Sequence, residues 1–325
     1  MHKKVYFIFL LFINTLSPVI AQKRDTATVY MKTRSTVAWL PAFDDVVDSK
    51  DSADFIRMII SPEAGTKLYA VNDYYLSGTP KLMGFSITPE FSPKYDGACI
   101  EYFPNGKRKR ISNYDKGFFT GNTFEYYPNG KMYLSGVYNK YKLEIQSCQD
   151  TTGKMLAENG NGIYIKYAPD FKSIIGTGSV KNGVQDGDWK GTLCDTLSYQ
   201  ATWKDGKITK GITTSKNGTV YQFTDELKMP EFTGGLEKFG QYLAKTIRYP
   251  GYALEHNIQG RPIISFLVTT KGNLVDIYSV AGVEILANEA VRVMQLSPLW
   301  QPALSYGVAV PLRHSVPIGF KMESR

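Results

Sequence analysis

At 325 residues the chain is too long for one small domain and has room for two or three. Hydrophobic residues at 43% and charged residues at 21% exclude a disordered or fibrous chain, and the 22 tyrosines favour strands over helix bundles. A net charge of +8 suits an anionic surface without demanding one, and three cysteines with no tight spacing exclude a disulfide scaffold.

Residues 1–21 read as a secretory signal peptide. Lys3 and Lys4 form the positive start, Val5 to Ile13 the apolar stretch, and Val19-Ile20-Ala21 the cleavage site before Gln22. Asn14, Thr15, Ser17 and Pro18 cut the apolar run below the roughly 20 residues of a membrane span. No cysteine follows the cut, so a lipid anchor is not expected. Cleavage removes Lys3 and Lys4, takes the charge to +6 and leaves a soluble, periplasmic or secreted chain. Cys99, Cys148 and Cys194 allow at most one bridge, for which Cys148–Cys194 is the candidate pair.

A β-containing segment, 22–70, precedes a repeat over 71–223. Asp96-Gly97 leads into Tyr102-Phe103-Pro104-Asn105-Gly106-Lys107, and 24 residues later Thr120-Gly121 leads into Tyr126-Tyr127-Pro128-Asn129-Gly130-Lys131. Weaker copies open at Gly162, Gly187 and Gly211, and Tyr74 to Gly78 is a degenerate early one. A break in rhythm after Gly121 points to an insertion over Tyr141 to Asn159. Proline presets a type I turn, Asn105 and Asn129 tolerate its second position, and Gly106 and Gly130 take the left-handed position beyond. Each unit is a β-hairpin that buries its face only by stacking on its neighbours. The pattern resembles the MORN-repeat variant of bacterial YwqK antitoxin-like proteins, which implies a hairpin scaffold and no particular activity.

From Met229 to Arg325 the pattern changes. Leu236, Phe239, Leu243 and Ile247 give a helix that Tyr249-Pro250 stops, followed by a short helical turn from Gly251 to His256. Ile264, Phe266 and Val268 share one face of a strand. Lys271-Gly272-Asn273 turns into a second strand, Leu286, Ala290, Val293 and Met294 mark another helix, and Val308 to Phe320 forms the last strand. The expected fold is thus a β-rich repeat of stacked hairpins followed by a small two-layer α/β domain, ordered α–β–β–α–β.

This part resembles the C-terminal domain of TonB, the energy-transducing protein of double-membrane bacteria. The resemblance rests on Pro230-Glu231-Phe232 with Gly234-Gly235, Tyr249-Pro250, Ala253, Ile258-Gln259-Gly260-Arg261, Gly272, Ala290, Trp300-Gln301-Pro302-Ala303, and Pro317-Ile318 with Phe320. Pro262 departs from it at the start of a strand. The front departs more: the only N-terminal histidine, His2, lies outside the apolar run, and no proline-rich spacer follows. The resemblance implies capture of an extended peptide from an outer-membrane transporter or another envelope protein, without direct coupling to a proton-driven motor.

Residues that could carry chemistry have plainer readings. His256 and His314 have no partner at metal-ligand or catalytic spacing, and His314, on the apolar face of the last strand, reads as a packed or rim residue, so no metal, cofactor or enzymatic activity is expected. Gly176-Thr177-Gly178-Ser179 precedes no helix, which disfavours a phosphate loop. Lys107-Arg108-Lys109-Arg110 reads as a solvated strand that guards against aggregation, so no nucleic acid is expected. Trp300 is a core residue.

The last strand supplies the candidate site. Val308, Val310, Leu312, Val316, Ile318 and Phe320 are all even-numbered and apolar, and pack on the helices. Pro311 and Pro317 are odd-numbered and remove donors from one edge, leaving Arg313 and Ser315 with N–H groups on it. Prolines there either blunt the edge against aggregation or limit the register of an added partner strand. The TonB resemblance implies the second.

Overall fold

The computed structural model describes residues 25–37, 39–40, 42–139 and 142–322. The expected signal peptide, His2 included, lies outside the described residues. Among those residues no helix is long and apolar enough to cross a membrane.

The protein is strand-rich. Among the described residues its larger part is one antiparallel sheet of seventeen strands. β1 (Thr26–Arg34) pairs with β2 (Phe43–Val47) on one side and β3 (Phe55–Ile60) on the other. From β3 the chain meanders, each strand pairing with the next: β4 (Tyr69–Tyr75), β5 (Pro80–Ser86), β6 (Gly97–Tyr102), β7 (Arg108–Asp115), β8 (Phe118–Tyr126) and β9 (Met132–Asn139). It continues through β10 (Lys142–Gln149), β11 (Met155–Glu158), β12 (Asn161–Tyr167), β13 (Ile174–Lys181), β14 (Val184–Cys194), β15 (Leu197–Lys204), β16 (Lys207–Ser215) and β17 (Val220–Phe223). The described strands of segment 22–70 therefore share a sheet with the repeats.

The turns explain the repeat. In Phe103–Lys107 and Tyr127–Lys131 the first residue's N–H bonds the fifth residue's carbonyl at 2.8 and 2.9 Å. Gly106 and Gly130 close each turn with φ of 78° and 88°, where a side chain would be strained. Asn105 Nδ2 donates to Pro128 O at 2.9 Å and Lys107 Nζ to Asn129 O at 2.7 Å. One copy on, Asn129 donates to Thr151 O and Lys131 to Thr152 O. The motif staples each turn to the next.

Asp150–Lys154 forms the same turn, with bonds of 2.9 and 3.0 Å. The expected insertion over Tyr141 to Asn159 is corrected on this ground. The span holds a further hairpin, β10–β11, with Ile145 where the other copies open with glycine and a β11 of only 4 residues.

Aromatic residues fill the core of the sheet's second half. Tyr127, Tyr133, Trp189, Tyr199, Trp203 and Phe223 are buried with Leu134, Ile145 and Cys148. Trp189 lies flat on Gly178, where any Cβ would collide with its ring. The candidate phosphate loop is thus the interior of β13. All three cysteines are free, which corrects the Cys148–Cys194 pairing. Cys148 points into the core, while Cys194 Sγ sits 3.2 Å from Thr196 Oγ1. The basic run is corrected too: β7 is paired on both sides, and Arg110 turns inward between Glu101 and Glu125 at 3.4 and 3.6 Å.

The C-terminal part follows β18 (Leu227–Lys228) and β19 (Glu231–Phe232). It contains α1 (Gly235–Thr246), α2 (Gly251–Glu255), β20 (Ile263–Val268), β21 (Leu274–Ala281) and α3 (Glu284–Gln295). β22 (Trp300–Gln301), β23 (Ala303–Ser305), β24 (Val308–Val310) and β25 (Leu312–Pro317) complete it. Ile264, Phe266 and Val268 are fully buried under Leu286, Ala290 and Met294 of α3. Trp300 is a core residue at the centre of Phe232, Phe239, Phe266 and His314.

The single last strand is corrected. Pro311 interrupts it, so β24 pairs with β23 while β25 pairs with β20. Proline lacks the N–H that a continuous ladder would use and fixes φ where the chain changes sheet.

Candidate functional site

The small sheet runs β21–β20–β25, which leaves β25 paired on one side only. Which groups face outward follows from the ladder. Gly260 and Phe320 exchange both backbone bonds, and Ile318 N–H donates to Pro262 O at 2.9 Å. Even-numbered residues therefore turn their backbone groups toward β20. The register holds without a shift from Ile263↔Pro317 to Val268↔Leu312. Successive residues of a strand alternate, so Arg313, Ser315 and Pro317 turn theirs to the open edge. That edge offers N–H donors at Arg313 and Ser315 and carbonyl acceptors at all three.

The four expected site residues are thus treated unequally. Ser315 and Pro317 are exposed on the open edge. Pro311 sits in the break between β24 and β25, upstream of the edge. The Arg313 side chain is engaged inside the molecule: its guanidinium ion-pairs with Asp276, reaches Ser265 Oγ at 3.3 Å, and lies between the rings of Phe43 and Tyr278 at 4.9 and 5.1 Å. Only its backbone remains available. Asn105, Gly106, Asn129 and Gly130 lie in the turn ladder of the repeats, away from this edge in sequence and sheet.

One feature escaped sequence reasoning. The chain's own start flanks the upstream end of the edge, with Leu40 packed near Leu312 and Phe43 under Arg313. His314 occupies the helix-covered face, its ring edge-on to Phe266 at 5.9 Å and Trp300 at 6.1 Å. Burial holds its pKa below the ordinary histidine value. The face it occupies is the apolar one on which the sequence already places it, as a packed or rim residue.

A hairpin fixes this domain to the repeats. Tyr306 and Gly307 both have positive φ, 48° and 80°, as a two-residue type I′ turn requires. Tyr306 is buried against Tyr199 and Phe223, with ring centroids at 4.5 and 5.4 Å. Its hydroxyl donates to Glu226 Oε1 at 2.7 Å, and Lys166 Nζ holds the same carboxylate at 2.9 Å, which keeps Glu226 below the usual carboxylate range despite its burial. Thr213 Oγ1 donates to Tyr306 O at 2.7 Å. The tip of β23–β24 therefore plugs the end of the hairpin core.

Among the described residues no group of three or more His, Cys, Asp or Glu could hold a metal ion. A shallow groove of about 600 Å³ crosses the repeats between Ile163 and Ile212, lined by Thr177, Lys190, Gln200 and Thr202.

Residues 245–322 match the family model described as the Gram-negative bacterial TonB protein C-terminal. The matched segment begins within α1 and includes β20, β21, α3 and the open-edged β25. It gives the protein a TonB-type C-terminal domain, characteristic of envelope-associated proteins, behind a long antiparallel sheet of hairpins. No curated protein matches the chain.

Proposed function

We propose that the protein is a non-enzymatic periplasmic adaptor whose C-terminal domain captures an extended segment of an envelope protein along the free edge of β25. A plug segment of an outer-membrane transporter fits this role, which would place the protein in TonB-dependent transport. The observation that carries the reading is the open row of backbone groups at Arg313, Ser315 and Pro317 in a segment that matches the TonB family model. Main-chain pairing gives such an edge affinity for any extended partner, and flanking side chains give it choice. With two donors and three acceptors, the edge favours a partner strand that is itself free of proline.

The signal peptide would deliver the chain to the periplasm, and the hairpin repeats, which resemble the MORN variant, would hold the domain away from other surfaces. In the second reading the repeats do the binding and the domain only caps them. The groove between Ile163 and Ile212 is the observation in its favour.

Ser315→Pro separates the two. Its N–H faces away from β20, so proline there removes an edge donor without breaking the ladder to β20. Capture from envelope extracts by the full mature chain is expected to fall at least about tenfold in Ser315→Pro, with the melting temperature little changed. Parental capture by the folded variant would move the partner to the repeats. The full chain is needed because a fragment starting at Met229 lacks β18, which pairs with β23, and exposes Tyr306.

A further inference from the structure

The strand-addition reading makes His314 more than a core residue. Its own N–H and carbonyl face β20, but its side chain lies half-buried on the helix-covered face of the outermost strand. Among the described residues neither ring nitrogen has a hydrogen-bond partner. An added strand would run about 4.8 Å from β25, and its residue opposite His314 would place a side chain on the same face, beside the imidazole.

We propose that His314 is the pH-sensitive contact of this edge: a captured strand seats a side chain against its ring, and capture requires the imidazole to be uncharged. This rests on the strand-addition reading. The surroundings supply no counter-charge. β20 presents Ile264, Phe266 and Val268 on that face, and β22 presents Trp300. The nearest cation in sequence, Arg313, lies on the opposite face and is tied to Asp276. Loss of water alone disfavours the charged ring, and no charged neighbour contributes. Covering the ring further raises the cost of protonating it.

The sign follows. The neutral ring is the form that binds. As pH falls through the folded value of His314, which lies below that of an ordinary histidine, a growing fraction of the protein must release a proton to capture a strand. Affinity is therefore full near neutrality and declines on acidification.

The probe is the blocked peptide acetyl-Thr-Val-Thr-Val-Thr-Val-Thr-amide, titrated into the full mature chain. Amide signals of Arg313 and Ser315 report strand addition, and the imidazole signals of His314 report its protonation. Affinity is expected to fall between pH 7.5 and 5.0 in step with the His314 titration, and that titration to be displaced to lower pH by the peptide. His314→Gln, neutral at both values, should bind equally at each. Equal binding of the parent at both pH values, still seen at Arg313 and Ser315, overturns the role of His314 and leaves the edge reading intact. If neither amide responds at either pH, the edge reading itself falls, and this inference with it.

Discussion

Asn129 and Lys131 act across copies of the repeat as well as within their own turn. Asn129 takes a bond from Lys131 N–H at 2.9 Å inside the turn and donates to Thr151 O in the next. Gly130 makes this possible, because its φ of 88° sets the turn while Lys107 from the preceding copy passes 3.2 Å from where a Cβ would sit. Gly130→Val should strain the backbone and displace Lys107 from Asn129 O. We expect a loss of roughly 1–3 kcal/mol in denaturant unfolding. An unchanged midpoint would mean that the turn ladder does not support the stack. The sequence made the turn legible, since proline, asparagine and glycine each have a backbone reason to be there. It could not show where Asn105 and Lys107 reach, because their partners lie 22 to 23 residues away. The buried Arg57–Asp73 pair at 2.7 Å was hidden for the same reason: its members sit on neighbouring strands, 16 residues apart.

At the scale of elements, periodicity worked where a segment had one environment. β20 and α3 follow their apolar rows closely, and Ile264, Phe266 and Val268 share a buried face as alternation requires, whereas Leu236 in the α1 row is exposed. It failed where one alternating row serves two sheets. Val308 and Val310 belong to β24 and Leu312 to β25, yet all three keep the same parity through Pro311. The hairpin β10–β11 was missed because Ile145 replaces the opening glycine that marks its neighbours. The β23–β24 hairpin is the element with the largest consequence. Truncating Tyr306 to alanine removes a ring packed between Tyr199 and Phe223 and leaves Glu226 without its hydroxyl donor. Tyr306→Ala should cost about 3–5 kcal/mol, typical of a large aromatic lost from a core. Two separate thermal transitions in the variant, against one in the parent, would show that this hairpin couples the domain to the repeats. A stability within about 0.5 kcal/mol of the parent would show that it does not.

For the molecule as a whole, composition and motif order pointed to two kinds of architecture in one chain, but not to their junction. Tyr306, Glu226, Lys166 and Thr213 come from four distant stretches, and contacts between residues 60 to 140 positions apart leave no local period to read. The junction bears on function, because a domain plugged into the end of a hairpin sheet presents its free edge in a fixed direction. That edge is bounded by the start of β2 at one end and Pro317 at the other, with Ser315 exposed between them. The central claim is that a partner strand lies there. A photo-crosslinking residue at Ser315, expressed in the native host, tests it most directly when compared with the same residue at Thr202 in the groove of the repeats. A discrete crosslinked product with an envelope protein is expected from position 315. Products from position 202 alone would contradict it and assign the binding surface to the hairpin sheet.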